Sequence, residues 1–176
     1  MGTVSPLGLD VPSTWQGLIA GRSGVDFITL FDASEFEVKI AAEVREFDPL
    51  QYIDRKRARR MDRFTQFAVA ASREAVDSAC LRIDGSNEYE IGVIIGSGIG
   101  GLITLSEQLK VLLNKGPNRV APFFIPMMIP SMASGQVSIF LGAKGPNYST
   151  VSACASGAHA IGNALDIIRQ GYAQVM

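Results

Sequence analysis

The run Glu90–Ser97, EIGVIIGS, is apolar without a break across its middle and closes on glycine. A strand with one solvated face alternates in polarity. A continuously apolar strand is buried on both faces, as in a parallel sheet covered by helices. Parallel neighbours also need a crossover connection, usually a helix. The sequence supplies that alternation. Leu102–Leu113 is helical in pattern and stops at Gly116-Pro117, and Ser131–Leu141 reads as another helix. Val120–Pro130 between them reads as a proline-rich apolar loop. Tyr148–Ala153 is a β-prone run that leads straight into a helix from Cys154 to Gln170, ended by Gly171. The class is therefore α/β with a mostly parallel sheet.

Upstream, Pro12–Ala20 reads as a short helix, with Asp10 or Ser13 at its start and Gly21 at its end. Val38–Val44 carries the loose alternation of a strand or edge hairpin. A long helix is expected from about Asp54 to Cys80, because Met61, Phe64, Ala68, Ala71, Ala75 and Ala79 recur at spacings of three and four. Val4-Ser5-Pro6-Leu7-Gly8 reads as a turn just after another element. Gly171–Met176 reads as a helix stop and the start of a strand. The chain thus reads as cut in mid-fold at both ends.

Composition narrows the function. The 176 residues are 47% hydrophobic and carry a net charge of −1, which argues against disorder and against a protein built to coat nucleic acid. Cys80 and Cys154 have neither a disulfide framework nor zinc-site spacing, and no metal site is expected. The opening MGTVSPLG lacks the basic start and apolar stretch of a secretory leader. The best apolar stretch, Val120–Ile129, is short and broken by Pro122 and Pro126, so no membrane span is expected. A reducing, cytoplasmic setting follows. The single histidine excludes any mechanism that draws two from this chain.

Cys154 is the leading candidate for chemistry. A strand that turns directly into a helix presents a residue at the helix N-terminus. Unpaired N–H groups and the macrodipole there favour an anion on its sulfur, and the same N–H groups can stabilise an oxyanion. The alternative is a buried structural cysteine, the commoner fate of an intracellular thiol and the better description of Cys80. Gly157 and Gly162 each weaken the last helix, by about 1 kcal/mol relative to alanine. Close packing against another backbone is the expected compensation. His159 lies five residues beyond Cys154, about 7.5 Å along and about 140° around a helix. It therefore points away and is expected to be packed or hydrogen-bonded.

Two further patterns stand out. Gly96-Ser97-Gly98-Ile99-Gly100-Gly101 has the dinucleotide-binding spacing after a strand and before a helix. The acidic residue due about 20 positions on is absent, since no Asp or Glu occurs from Gln108 to Leu165. A tight turn under close backbone contact is the favoured reading. Arg55, Lys56, Arg57, Arg59, Arg60 and Arg63 cluster at the expected start of the long helix, where cations oppose the dipole. A docking patch for an acidic partner and a merely solvated helix end both remain open.

Taken together these residues resemble a known family. Val151–Gly162 is similar to the nucleophile motif of the β-ketoacyl-acyl carrier protein synthases of type II fatty-acid synthesis. Val4–Gly8, Arg60-Met61-Asp62-Arg63-Phe64, Ile95–Gly101 and Pro122-Phe123-Phe124-Ile125-Pro126 match that family in order. The resemblance implies a thiolase-like fold, of which residues 1–176 form a partial N-terminal half, usually within a homodimer. It implies a condensing acyltransferase that needs no cofactor, with Cys154 carrying the acyl group as a thioester. Malonyl-acyl carrier protein then extends that group by decarboxylative condensation. Ile99, Phe124 and Ile129 match positions that line the acyl pocket, Phe124 reaching it across the dimer interface. Lys56, Arg59 and Arg60 match positions that meet the acidic acyl carrier protein. The family's two catalytic histidines fall outside the matched half. A non-catalytic partial chain serving as a binding or assembly partner is the alternative.

Overall fold

The computed structural model describes residues 1–176. In chain order its elements are α1 (Val11–Ile19), β1 (Asp26–Phe27), β2 (Ile40–Ala41), α2 (Arg55–Ala58) and α3 (Arg63–Ser78). There follow β3 (Val93–Gly96), α4 (Leu102–Lys115), α5 (Phe124–Met128), α6 (Ser131–Leu141), β4 (Asn147–Thr150) and α7 (Ser156–Arg169). The chain forms two units, Met1–Asp48 with Ala70–Leu81, and Pro49–Val69 with Arg82–Met176.

In the smaller unit, α1 starts at a reciprocal cap. The Asp10 carboxylate accepts the Ser13 N–H at 2.7 Å, and the Ser13 hydroxyl accepts the Asp10 N–H at 3.4 Å. The Ser13 hydrogen bonds hold the Asp10 carboxyl below the usual carboxylate range. β2 falls within Val38–Val44, where the alternation suggested a strand or edge hairpin, and its antiparallel partner β1 lies upstream of that run, tied by Arg45 to Asp26 at 2.9 Å. Glu74 on α3 accepts the N–H groups of Thr3 and Val11, each at 2.8 Å, which fastens the N-terminal segment. Cys80 is not a buried structural thiol. It lies just past α3 with φ +50° and is exposed, since a helix end that turns through the left-handed region carries its side chain outward.

In the larger unit, β3 and β4 run parallel with Val93 opposite Asn147 and Gly96 opposite Thr150. An isolated parallel bridge joins Ile91 to Val175, within the C-terminal residues that read as the start of a strand. α6 and α7 pack on this sheet. Ile91, Val93, Ala133, Val137 and Ala160 are buried there. Hydrogen bonds stitch α6 to β4: the Asn147 amide donates to the Ser134 carbonyl at 3.0 Å, and the hydroxyls of Ser134 and Ser149 meet at 3.1 Å.

The single helix expected from Asp54 to Cys80 is instead two helices, α2 and α3. The apolar spacing runs through the break, but side chains terminate the first helix and start the second. The Gln66 amide donates to the carbonyls of Ala58 (3.1 Å) and Met61 (3.3 Å) at the break, where the Ala58 carbonyl also accepts the Met61 N–H at 3.2 Å. Asp62 then opens α3, its carbonyl accepting from Thr65 and Gln66. Val120–Pro130 is also not purely a loop, because α5 forms within it. Pro126 falls in the first turn of α5, where its missing N–H leaves no intrahelical bond unmade. No helix is long and apolar enough to cross a membrane.

Candidate active site

Cys154 stands between β4 and α7 and is exposed. It does not sit in the first turn of the helix. Ala153–Ala155 form a 3₁₀ turn and α7 begins at Ser156. The turn is entered through Ala153 at φ +49°, a left-handed backbone that costs a residue with a Cβ roughly 1–2 kcal/mol. Ser156, almost fully buried, holds this geometry. Its hydroxyl accepts the Ser152 N–H at 2.9 Å and donates to the Ala153 carbonyl at 2.7 Å. The Thr150 hydroxyl donates to the Ser156 carbonyl at 2.8 Å. The strained turn pushes the thiol outward, two residues ahead of the N–H groups that open the 14-residue α7.

His159 is exposed, and its Nδ1 lies 2.6 Å from the Ser152 hydroxyl. It is thus a hydrogen-bonded helix residue, as the spacing predicts, and its partner is a backbone neighbour of the turn. The packing expected around Gly157 and Gly162 is absent, because a Cβ at either would meet nothing within 4 Å. Both glycines lie on an exposed side of α7, beside Ile161 and Leu165, which are exposed as well.

The close approach occurs one element away. A Cβ on Gly96, at the end of β3, would overlap the Ser156 carbonyl. Gly96 therefore lets the strand end lie directly against the elbow. The far end of the same Gly-rich turn meets α5. The Gly101 N–H donates to the Met128 carbonyl at 2.8 Å, and a Cβ on Gly101 would overlap the Met127 carbonyl. Gly96–Gly101 is thus wedged between the cysteine elbow and α5. The position where a dinucleotide's pyrophosphate would rest is the N-terminus of α4. That position is taken: the buried Asp62 carboxylate accepts the Thr104 N–H there at 2.8 Å. A second anion would face like charge, so this turn is a packing device.

The residues expected to line an acyl pocket gather around the same wedge. Ile99 sits on the turn and is 68% exposed. Phe124 opens α5 and Ile129 follows it, both half-buried.

The basic cluster is not one run at the start of a long helix: Arg55 and Lys56 open the short α2 and Arg63 opens α3, where the dipole opposes them, while Arg59 and Arg60 fall between the two helices. Asp54 caps α2, accepting the Arg57 N–H at 3.0 Å, and Arg59 and Arg60 lie past its C-terminal end, where cations are favoured. Arg55, Lys56, Arg59 and Arg60 are exposed and line a cleft of about 410 Å³. Arg57 pairs with Asp54 at 3.4 Å. Arg55, Lys56 and Arg59 have no ion-pair partner in the chain. The Arg60 guanidinium lies over the Phe123 ring, 4.2 Å from its centre. Ser156, Asp62 and Phe123 are the structural contributors that sequence reasoning missed, whereas the close backbone contact at Gly96 is the favoured reading of the Gly-rich turn. A glycine at the end of a buried strand was the visible signal for Gly96. The other three make contacts that spacing does not encode.

Residues 1–176 match the family model described as beta-ketoacyl synthase, N-terminal domain. The chain is 52% identical over all 176 residues to 3-oxoacyl-(acyl-carrier-protein) synthase 2 of Synechocystis sp. and to that of Staphylococcus aureus (strain N315). It spans 42% of the length of each. Among solved structures, the ishigamide ketosynthase/chain length factor superposes with a TM-score of 0.87 at 33% identity, over 98% of this chain and 43% of that one. A beta-ketoacyl synthase from Burkholderia phymatum superposes with a TM-score of 0.82 at 31% identity, again over 98% of this chain and 43% of that one.

Proposed function

The chain belongs to the beta-ketoacyl synthase family, as its N-terminal domain with a thiolase-like α/β fold, and on that premise we propose that it carries the nucleophile of a condensing acyltransferase of fatty-acid biosynthesis. The observation that carries this reading is the exposed Cys154 on a strained turn that runs into the N-terminus of α7. The Cys154 sulfur attacks the carbonyl carbon of an acyl thioester. A bond forms from sulfur to that carbon, and the carrier's thiol leaves. Malonyl-acyl carrier protein then loses carbon dioxide, and the resulting carbanion attacks the enzyme thioester. A carbon–carbon bond forms, the bond to Cys154 breaks, and the chain is two carbons longer. The backbone N–H of Cys154 is proposed as one donor to the oxyanion of each step.

Ile99 and Ile129 are proposed to line the acyl chain beside the elbow, since the Gly-rich turn lies against the end of α5, and Phe124 is proposed to line the acyl chain of the second subunit across the homodimer interface. Lys56, Arg59 and Arg60 are proposed to dock the acidic carrier protein. Support comes from their exposure and from the absence of an internal carboxylate partner for Lys56 and Arg59. One neighbour of the same fold is described as an acyl-carrier protein in complex with its ketosynthase. A homodimer fits β4, which pairs with β3 alone and leaves its other edge unpaired. The two free thiols fit a reducing, cytoplasmic setting. The only imidazole in these residues is held by Ser152. The groups that handle protons are therefore assigned to the part of the relatives' length that this chain does not match.

That last observation also favours a second reading, a non-catalytic partial chain that pairs with a complete subunit. Elongation assays separate the two. The complete polypeptide carrying these residues should extend acyl-carrier substrates, and Cys154→Ala should abolish extension. Extension that survives this change would overturn the nucleophile assignment. No extension by the unmodified protein would favour the assembly role.

A further inference from the structure

The carrier patch and the acyl-lining segment touch each other through one side chain. Arg60 belongs to the patch, yet its guanidinium lies 4.2 Å from the centre of the Phe123 ring. Phe123 immediately precedes Phe124 and occupies the N-cap position of α5. That position is held without a side-chain capping bond, so the start of α5 depends on contacts such as this one. Phe123 itself is 39% exposed, so its ring is not locked by burial. From α5 the contacts continue inward through the Met127 and Met128 carbonyls to Gly100 and Gly101, and along that turn to the Gly96–Ser156 contact at the elbow.

A guanidinium is planar and can serve two partners at once. Its face stacks on an aromatic ring, while its edge keeps the N–H groups that grip a carboxylate. Resting on the proposed function, we propose that Arg60 is a positioning residue that joins carrier docking to the acyl lining. A carboxylate of the carrier takes its edge, and its face fixes Phe123 and hence the placement of Phe124. Docking the acidic carrier thereby orders the segment that measures the acyl chain. Arg55, Lys56 and Arg59 supply attraction alone.

The experiment is done on the complete polypeptide with a long and a short acyl-carrier substrate, measuring carrier affinity and kcat/KM for each. Phe123→Leu keeps every charge of the patch. It should leave carrier affinity within about twofold while changing the long-to-short kcat/KM ratio by about two- to fivefold, the scale of one exposed cation–π contact. Phe123→Tyr, which keeps the ring, should restore the original ratio. Arg60→Met should lower affinity and change the ratio as Phe123→Leu does, and the double variant should have the same ratio as Arg60→Met alone. An unchanged ratio in Phe123→Leu, or additive effects in the double variant, would overturn the coupling. Failure of the unmodified protein to bind the acidic carrier would instead overturn the docking assignment itself, so the two failures are distinguishable.

Discussion

The carboxylate of Asp62 accepts the backbone N–H of Thr104 at 2.8 Å, joining residues 42 positions apart at the N-terminus of α4. The same residue opens α3. Its carboxylate also accepts the Phe64 N–H at 3.4 Å, so one buried carboxylate serves two helix starts, both of which present unpaired N–H groups and a positive dipole end. The arrangement fixes the end of the basic cluster against the Gly-rich turn beside Cys154.

Asp62→Ala should destabilise the protein by about 1–3 kcal/mol, because it leaves the buried Thr104 N–H without an acceptor. Asp62→Asn keeps an oxygen in place and should cost less. Denaturant titration reads both, and an alanine variant as stable as the parent would contradict this role.

Gly96→Ala tests how the elbow is held. The added methyl overlaps the Ser156 carbonyl, so either β3 or the first turn of α7 must shift. Overpacking of this kind costs about 1–3 kcal/mol. The shift falls on the turn that carries Cys154, so the rate of acyl transfer to the protein should drop while affinity for the carrier holds. A fall in affinity with unchanged transfer would place the effect elsewhere.

Ala153→Gly should raise stability and lower activity. Glycine removes the left-handed penalty of roughly 1–2 kcal/mol but adds unfolded-chain entropy of about 0.4–1 kcal/mol. The net gain is about 0–1.6 kcal/mol by these figures. The freed turn should hold the thiol less firmly and slow acylation. Thermal unfolding and acylation rates check the two halves, and a loss of stability would show that the turn carries no strain.

The cap of α1 sets a pH dependence. Hydrogen bonds from the Ser13 side chain and backbone hold the Asp10 carboxyl below its ordinary value of 3.8. A lowered folded value means the stabilisation is complete above the ordinary value and is lost as pH falls through the lowered one. Asp10→Ala should cost about 1 kcal/mol near neutral pH. Its difference from the parent should vanish in acid below the lowered value. A difference that persists unchanged into strong acid would rule out the charged cap.

How much of this was legible in the sequence depended on what each feature rests on. α6 has the expected bounds, Ser131–Leu141, because Pro130 before it and Gly142 after it, at φ +78°, are local signals. β3 was legible because its run is apolar without a break, as a strand packed between helices requires, with Val93 buried and Ile94 and Ile95 half-buried. The α2–α3 break was not, since it is made by the side chains of Asp62 and Gln66 while the apolar spacing continues through it. Cys154 was found from its strand-to-helix position. The device that holds it, Ser156 against Ala153 and Gly96, is a set of tertiary contacts that no spacing records. The close packing expected at Gly157 and Gly162 is not made by any of residues 1–176. A glycine in a helix signals that some close approach is tolerated, but here the approach is at Gly96 and the α7 glycines face open space.

The most direct test of the central claim is mass spectrometry of the protein after incubation with an acyl-carrier protein substrate, with malonyl-carrier protein withheld. The account predicts one acyl group in thioester linkage on the peptide that holds Cys154, absent from Cys154→Ala. Cys80, equally free and exposed, should remain unmodified and serves as the internal control. No adduct, or an adduct on Cys80 in place of Cys154, would contradict it.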